Sequence, residues 1–263
     1  MILPISIRFT TTECFRERRR YLTRFSLSSC KQRSFICITK QDRETKMGKV
    51  VYFDLETTGL NHRTQHSGVQ IISIGAVTSR NQTFETYILP TCLISQRSSD
   101  IHGITLEDGE LVDKDGYIIE EAQDPQDGLM DFMEWLEEVG CEYLVAHNNF
   151  RFDWIVLNKN LKRFRIDHPI MDDVVPIDSM IFAKNGKFTF FLKNQIFSRD
   201  FSLEFEVKPT YSLSNCLEDI CDEEITDAHE ALSDAIAAKK ICEVGARHLG
   251  YKHFLAYLRS ENL

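Results

Sequence analysis

The chain has 263 residues, of which 43% are hydrophobic, and its formal net charge is −9. A chain of this length can bury one sizeable core, so we predict one domain of about 200 residues with an appendage. Residues 1–48 contain 11 Lys+Arg and 4 Asp+Glu, whereas the remainder contains 20 and 36. An acidic body is not typical of proteins that coat nucleic acid non-specifically. A polyanion bound here would need a local basic patch or metal ions.

The eight cysteines are scattered, with no C-x-x-C pair and no zinc-finger spacing of Cys and His. The sequence has no pattern of a secretory signal, so we expect reduced thiols in an intracellular protein, either nuclear or cytoplasmic. No apolar run approaches the roughly 20 residues of a membrane span, and no membrane contact is expected.

Residues 1–48 form a basic segment that we expect to be a disordered N-terminal extension. The run "RERRR" at residues 16–20, the many Ser and Thr and the few acids resemble a mitochondrial transit peptide. Under that interpretation residues 1–46 direct the protein to mitochondria. The alternative, which we favour, is an unstructured tail or sequence upstream of a start at Met47, just before the first predicted strand.

Three strands predicted early in the chain would form an antiparallel meander, at residues 49–56, 71–77 and 84–90. A short hairpin or loop is predicted at 107–121. Helices and strands then alternate, with a helix at 125–140 closed by Gly140, a strand at 142–147, a helix at 152–164, a segment at 175–184 and a helix at 226–250 ending at Gly250. This order predicts an α/β domain over residues 49–250, a mixed sheet with helices packed on it. Residues 251–263 would be a tail or the end of the last helix.

The first predicted strand carries two acids in the stretch "VYFDLETTGL" (51–60). Asp54 and Glu56 are two residues apart, so both side chains leave the same face of the strand. They precede a Thr-Thr-Gly turn, and the ends of strands are where sites form in α/β sheets. Paired carboxylates are costly to bury unless a cation neutralises them, and oxygen ligands select hard cations such as Mg²⁺ or Mn²⁺. The pair indicates a metal site, although D-x-E alone is weak evidence.

Another acid ends the stretch "VAHNNFRFD" (145–153). Asp153 enters the first turn of the next helix, where an acid also stabilises the helix dipole. His147 and Asn148, at the end of the preceding strand, are often structural hydrogen-bonding groups at such positions. Taken alone, Asp153 is better explained as a helix-start residue.

The last predicted helix contains "DAHEALSDA" (227–235). His229 and Asp234 are five residues apart, about 140° around a helix, so they do not share a face if both are helical. They converge if His229 lies in the loop entering the helix and Asp234 points inward. A lone histidine here is more often a capping or core group than a catalyst. Asp234 is the stronger candidate, because it falls among apolar positions where an acid needs a partner, namely Leu232, Ala235, Ile236 and Ile241.

In order, these stretches resemble the three motifs of the DEDDh subgroup of the DnaQ-like 3′–5′ exonucleases. The D-x-E motif corresponds to Asp54-Leu55-Glu56, the A-H-N…(F/Y)-D motif to Ala146 through Asp153, and the H-x4-D motif to His229 through Asp234. The resemblance covers about residues 49–250. It implies a ribonuclease H-like α/β fold, with a mixed five-stranded sheet whose first three strands are antiparallel and which helices flank.

Two branches of this family are similar to the chain in detail. Three residues, Asn149 to Arg151, separate "HN" from "FD", which resembles the three-prime repair exonuclease branch. The stretches "YFDLETTGL", "FETYILP" and "VAHNNFRFD" are similar to the exonuclease-like domain of some promyelocytic leukaemia proteins, some of which lack catalytic acids. Relatives in the repair branch are often dimers, so a homodimer is an expectation.

The resemblance implies a hydrolase that releases 5′-nucleotides from single-stranded or frayed 3′ ends of nucleic acid, with DNA preferred. Two Mg²⁺ or Mn²⁺ ions would be held by Asp54, Glu56, Asp153 and Asp234. His229 would accept a proton from the attacking water, a task suited to a side chain that titrates near neutral pH.

The same resemblance implies contacts with the terminal nucleotide. The backbone at Glu56 and Thr57 and the side chain of Leu60 would meet it, with Leu60 against the base. Phe152 would lie near the scissile nucleotide, or else in the core at the helix start. His102, in "DIHGIT", is a weaker candidate for substrate contact.

Two basic regions are candidates for contact with nucleic acid, and each also has a purely structural interpretation. Residues 183–201 interleave lysines with phenylalanines, which suits unpaired bases and phosphates, but a hairpin around Asn185-Gly186 whose aromatics pack on the body is favoured. The second region is predicted to be a solvated helix face and comprises Lys159, Lys162, Arg163 and Arg165.

Two other functions stay open from the sequence. Some relatives trim RNA 3′ ends with the same residues, so an exoribonuclease is one alternative. The other is a non-catalytic module that binds nucleic acid or protein. The complete set of four acids and a histidine favours an enzyme.

Overall fold

The computed structural model of the protein describes residues 50–61, 68–180, 183, 187–192, 195–200 and 210–248. The predicted extension at 1–48, the tail at 251–263 and Gly250 lie outside these residues. For 187–192 and 195–200 the backbone alone is described, so the packing of the aromatic side chains in that region also lies outside.

The described strands are β1 (Val50–Thr57), β2 (Ile71–Thr78), β3 (Thr83–Tyr87), β4 (Thr105–Glu107), β5 (Glu110–Val112), β6 (Tyr143–Ala146), β7 (Val175–Asp178), β8 (Lys187–Leu192) and β9 (Gln195–Asp200). The described helices are α1 (Gln96–His102), α2 (Pro125–Glu138), α3 (Asp153–Arg163), α4 (Ile170–Asp173), α5 (Leu213–Cys221) and α6 (Ala231–His248), with a 3-10 turn at Asn149–Arg151. None of the helices in these ranges is long and apolar enough to cross a bilayer.

The main sheet has the strand order β3-β2-β1-β6-β7-β8-β9. The first three strands pair antiparallel, β1 pairs parallel with β6, and β6 pairs parallel with β7. This confirms the predicted mixed sheet with its antiparallel meander. β8 and β9 add two antiparallel strands beyond β7. β4 and β5 pair separately as the short hairpin expected near residues 107–121.

The predicted hairpin turn at Asn185-Gly186 lies outside the described residues. β8 follows it at residues 187–192, "KFTFFL", and pairs antiparallel with β7 through Ile177 and Phe190. β8 also pairs antiparallel with β9, with Leu192 opposite Gln195.

The sheet is covered on both faces near β1. Val51, Phe53 and Leu55 face a core that also contains side chains of α2 and α3. All eight residues of β2 are buried, and α6 approaches its other face so closely that a Cβ added at Gly75 would lie 2.0 Å from the backbone N of Leu232. Glycine at this position therefore sets the distance between β2 and the start of α6.

Three short helices, α1, α4 and α5, were not predicted. α1 begins at Ser95, whose side chain accepts a hydrogen bond from the Ser98 backbone N–H, and ends at Gly103 with φ of 76°. α5 begins in the same way at Ser212. The capping serines were the available signal, together with a helical spacing of apolar residues in α5, namely Leu213, Cys216, Leu217 and Ile220.

Candidate active site

Asp54 and Glu56 lie on the face of β1 that is turned toward α6. Asp54 pairs with Gly75 and Glu56 with Ser73, and residues directly opposite each other in antiparallel strands point to the same side. Asp54 is partly buried, and Glu56 is 9% exposed. The alternation of β1 thus sends Phe53 and Leu55 into the core and the two acids to the start of α6.

Asp153 reaches the same region from the next strand. β6 runs parallel to β1 and ends at Ala146, and the 3-10 turn then leads to Asp153, the first residue of α3. Asp153 is 2% exposed. Its position at the helix start agrees with the expected dipole role. However, its burial beside other acids is more than a helix-start residue requires.

His229 lies in the loop that enters α6, so it does not need to share a helical face with Asp234. The predicted helix from residue 226 begins only at Ala231, because Asp227 and His229 have φ of 57° and 71°. Asp234 is in the first turn of α6 and is 8% exposed. Ligand atoms of Glu56, His229 and Asp234 all lie within 4.8 Å of one another. The five candidate residues therefore come from three elements of the fold that meet at one edge of the sheet.

Burial raises the pKa values of all four carboxyl groups, and neighbouring negative charges raise them further. Burial raises the pKa of Glu56 to about 9, with further contributions from the charges of Asp234 and Asp153. Burial raises the pKa of Asp153 to about 8 and that of Asp234 to about 6. The pKa of Asp54 is raised well above its ordinary value by burial and by the three other acids. Without a positive charge, this cluster is unfavourable in its ionised form.

The donor set fits a hard divalent cation. Asp234 Oδ1 is buried and has no hydrogen-bond partner among the described residues. A buried carboxylate oxygen without a partner is costly, and a cation would satisfy it. Carboxylate oxygens are the ligands that Mg²⁺ and similar ions prefer. Asp54, Glu56, Asp153 and Asp234 would hold such an ion, with the His229 ring beside it.

The raised pKa values predict how metal-free stability depends on pH. A carboxyl group whose pKa is raised by folding stabilises the fold at low pH, and this contribution is lost as pH rises through the folded-state pKa. For Asp234, Asp153 and Glu56 the loss begins at about pH 4, where these groups ionise in the unfolded chain, and ends at about pH 6, 8 and 9, respectively. We expect the melting temperature in EDTA to fall over this window, and Mg²⁺ to raise it more at pH 9 than at pH 6. Thermal unfolding with and without Mg²⁺ measures this, and an equal Mg²⁺ effect at both pH values would contradict it.

The His102 side chain contacts the backbone of the segment that follows Glu56. Its Nε2 lies 3.2 Å from the carbonyl oxygen of Thr57, and its Nδ1 accepts a hydrogen bond of 3.1 Å from the Ile104 backbone N–H. Because a carbonyl only accepts, the ring carries its proton on Nε2. Both nitrogens of the His102 ring are therefore used within the protein. Burial also lowers the pKa of His102, which favours the neutral ring.

The other two predicted substrate contacts differ in exposure. Leu60 is 41% exposed and lies beyond the Thr-Thr-Gly turn. Phe152 is partly buried and packs against the core of β1, α2 and α3, which is the alternative considered for it above.

A cavity of about 190 Å³ opens beside Glu56 and His229. His102, Tyr87 and the turn after β5 line its far side. The Lys114 Nζ of that turn lies 3.3 Å from the Glu230 carboxylate, so the turn contacts the loop that carries His229. Of the predicted residues, Glu56, His229 and His102 thus line this acidic recess, and Asp234 has a ligand atom within 4.8 Å of Glu56 and His229.

Two polar residues near the site were given no catalytic or metal-binding role in the prediction. Asp178, at the end of β7, is 2% exposed, and its charge contributes to the raised pKa of Asp153. The signal was an acid at the end of "VPID", since parallel strands end at the same edge of a sheet. His147 lies 2.9 Å through Nε2 from the Tyr211 carbonyl oxygen and 3.0 Å through Nδ1 from Ser179 Oγ, which agrees with the structural role considered for it.

The chain is similar to known proteins over most of its length. The chain matches the RNase_T family, described as exonuclease, over residues 51–242. A DNA polymerase III of the PolC type from Caldanaerobacter subterraneus subsp. tengcongensis is 31% identical over 140 residues, which are 51% of this chain and 9% of that protein. The chain thus spans less than a tenth of the length of this relative.

Two exonucleases are among the solved structures whose backbones are similar to that of this chain. The nuclease domain of 3′hExo, a DEDDh family member bound to rAMP, has a TM-score of 0.47 and 17% identity, covering 76% of this chain and 92% of that one. Exonuclease X in complex with 5′ overhanging duplex DNA has a TM-score of 0.49 and 20% identity, covering 76% and 93%.

Proposed function

The chain belongs to the RNase_T exonuclease family, and we propose that it is a two-metal 3′–5′ exonuclease that removes 5′-nucleotides from 3′ ends, with DNA preferred over RNA. The observation that carries the proposal is the meeting of Asp54, Glu56, Asp153, Asp234 and His229 at one edge of the sheet, with a buried Asp234 oxygen left without a partner among the described residues. Such a site has the composition that hydrolysis of a phosphodiester requires.

The carboxylates of Asp54, Glu56, Asp153 and Asp234 would hold the cations. Two Mg²⁺ or Mn²⁺ ions, when bound, would supply activation of water and neutralisation of the charge that develops on phosphorus and on the leaving 3′ oxygen. Asp54 is close enough to the other three acids that their charges, together with its burial, raise its pKa, so it would share in holding the cations. The carboxylates repel phosphate without these ions, so substrate binding depends on metal.

His229 accepts the proton of the attacking water. Its side chain is exposed to solvent yet lies within 4.8 Å of ligand atoms of Glu56 and Asp234. This position lets the ring take a proton at the site and pass it to bulk water.

His229→Asn is expected to lower kcat by about 10²–10⁴-fold, since a positioned general base contributes that much. Asparagine suits the test because it tolerates the left-handed φ of 71° at this residue. The melting temperature and the Mg²⁺ dependence should stay close to wild type. Asp227→Asn, an exposed neighbour with φ of 57°, is the matched control and should keep full activity. Near-wild-type activity of His229→Asn would remove His229 from the mechanism.

The 3′-terminal nucleotide is proposed to lie against the end of β1. The Glu56–Thr57 backbone would contact it, and the exposed Leu60 side chain would pack on its base. His102 contributes by holding the Thr57 carbonyl in place. Phe152 contributes through the core at the start of α3.

The preference for DNA is tested with matched 3′-labelled single-stranded DNA and RNA, with and without Mg²⁺. The proposal expects a higher kcat/KM for DNA and no reaction without metal. Faster hydrolysis of RNA would replace the proposal with an exoribonuclease. Absence of hydrolysis of both by the folded protein with Mg²⁺ would leave the non-catalytic binding module.

A further inference from the structure

The turn that delivers Asp153 to the site lacks a cap of its own. Asn148, which opens the 3-10 turn, has φ of 66° and its side chain makes no capping hydrogen bond. Phe152, which precedes α3, has φ of −139° and ψ of −82° and no side-chain cap. The first N–H groups of such turns have no acceptor within the turn and need one from elsewhere in the protein.

Asp178 supplies acceptors for this turn from the neighbouring strand. Its Oδ1 accepts hydrogen bonds from the backbone N–H groups of Asn148 (3.0 Å) and Met180 (2.9 Å), and its Oδ2 accepts one from Phe150 (3.3 Å). β6 and β7 are parallel and pair Ala146 with Asp178, so the carboxylate stands directly beside the point where the chain leaves β6.

The turn is tied to the sheet at a second point. The Asn149 side-chain amide donates hydrogen bonds to the carbonyl oxygens of Leu144 (3.1 Å) and Ile177 (2.8 Å), one in each strand. Asn149 is fully buried. Three consecutive residues, Asn148 to Phe150, are therefore fixed to β6 and β7, and Asp153 follows three residues later.

The choice of a carboxylate at this position needs an explanation. Asp178 and Asp153 are both 2% exposed, and each negative charge is unfavourable to the other. A neutral acceptor would avoid this repulsion. Charge-assisted hydrogen bonds are roughly twice as strong as neutral ones, and two oxygens can accept from both sides of the turn at once. The carboxylate thus makes the turn more rigid, although its charge repels that of Asp153.

We propose that Asp178 is a positioning residue for Asp153, fixing the turn at residues 148–150 so that the Asp153 carboxylate is held ready for a divalent cation. Asp178 acts through the backbone of the turn. Its role resembles that of outer groups which orient metal ligands, whose replacement typically weakens metal affinity or activity by about 10–100-fold. The inference rests on the proposed function in that Asp153 is taken to be a cation ligand.

The test measures Mn²⁺ binding by titration calorimetry without nucleic acid. Asp178→Asn keeps the size and one carbonyl oxygen but places an amide group against one of the N–H groups. We expect about 10-fold weaker Mn²⁺ binding for Asp178→Asn and wild-type binding for the control Asp173→Asn, an exposed acid on α4. At saturating metal, the KM of Asp178→Asn for an oligonucleotide should stay within about twofold of wild type, since the loss of an outer orienting group falls on the metal.

A second measurement uses the wild-type protein, in case Asp178→Asn does not fold. Amide hydrogen exchange at Asn148 and Phe150 should slow when Mg²⁺ is added, since ordering the turn and ordering Asp153 are linked. Unchanged exchange there, or equal Mn²⁺ affinities of Asp178→Asn and wild type, would overturn the inference. An absence of nuclease activity in the wild type, with these binding results as expected, would overturn the proposed function alone.

Discussion

Replacing Asp234 with asparagine is expected to abolish nuclease activity while making the metal-free protein more stable. Asp234 is 8% exposed, burial raises its pKa to about 6, and its charge helps to raise the pKa of Glu56 to about 9. Neutralising it should stabilise the fold by roughly 2–3 kcal/mol at pH 8, which corresponds to a melting temperature higher by about 5 °C or more. Activity should fall on the order of 10³-fold, because a proposed ligand of the cations that neutralise transition-state charge is lost.

Both effects are measured on one variant, by thermal unfolding in EDTA and by hydrolysis of a labelled oligonucleotide with Mg²⁺. Asp222→Asn is the matched control, since Asp222 is exposed and its left-handed φ of 56° suits asparagine. It should change neither quantity. A less stable Asp234→Asn protein in EDTA would show that the acids do not repel one another as proposed, and retained activity would remove Asp234 from the metal site.

Gly75→Ala is expected to damage both stability and activity, although residue 75 contributes no functional group. The added Cβ would lie 2.0 Å from Leu232 N and 2.2 Å from the carbonyl carbon of Ala231, and these backbone atoms cannot rotate away. α6 must therefore shift from β2. We expect a loss of about 3 kcal/mol or more in the free energy of unfolding, as for severe overpacking. Because a displacement of about 1 Å can cost 10²-fold in rate, kcat should fall by about that factor.

Gly68→Ala is the control for Gly75→Ala, because a Cβ at Gly68 would meet no atom of the described residues within 4 Å. Chemical denaturation gives the free energy of unfolding, and single-turnover kinetics gives the rate of hydrolysis. If Gly75→Ala unfolded and reacted like wild type, α6 would not depend on close contact with β2 for the placement of His229 and Asp234.

The part of the site on β1 could be predicted because strand geometry is local. Alternation alone places Asp54 and Glu56 on the face opposite Phe53 and Leu55, and the structure has this arrangement. The position of His229 was harder to predict from the sequence. The sequence "TDAHE" continues the helical pattern, but the left-handed φ values at Asp227 and His229 delay the helix to Ala231. Tertiary contacts of this loop override its local preference.

Other features depended on contacts between distant segments. Asp178 lies about thirty residues along the chain from the turn whose N–H groups donate hydrogen bonds to it. Nothing in its local sequence indicates that turn as its partner. The closeness of Gly75 to Leu232 is equally non-local.

The central claim is that the acidic recess at the end of β1 is a metal-dependent 3′–5′ exonuclease site. It is tested most directly by incubating the purified protein and Mg²⁺ with a 5′-labelled single-stranded DNA and resolving the products by length. The account predicts a ladder of products that shorten one nucleotide at a time from the 3′ end, and none in EDTA. An intact oligonucleotide after incubation with folded protein and Mg²⁺ or Mn²⁺, or cuts at internal positions, would contradict it.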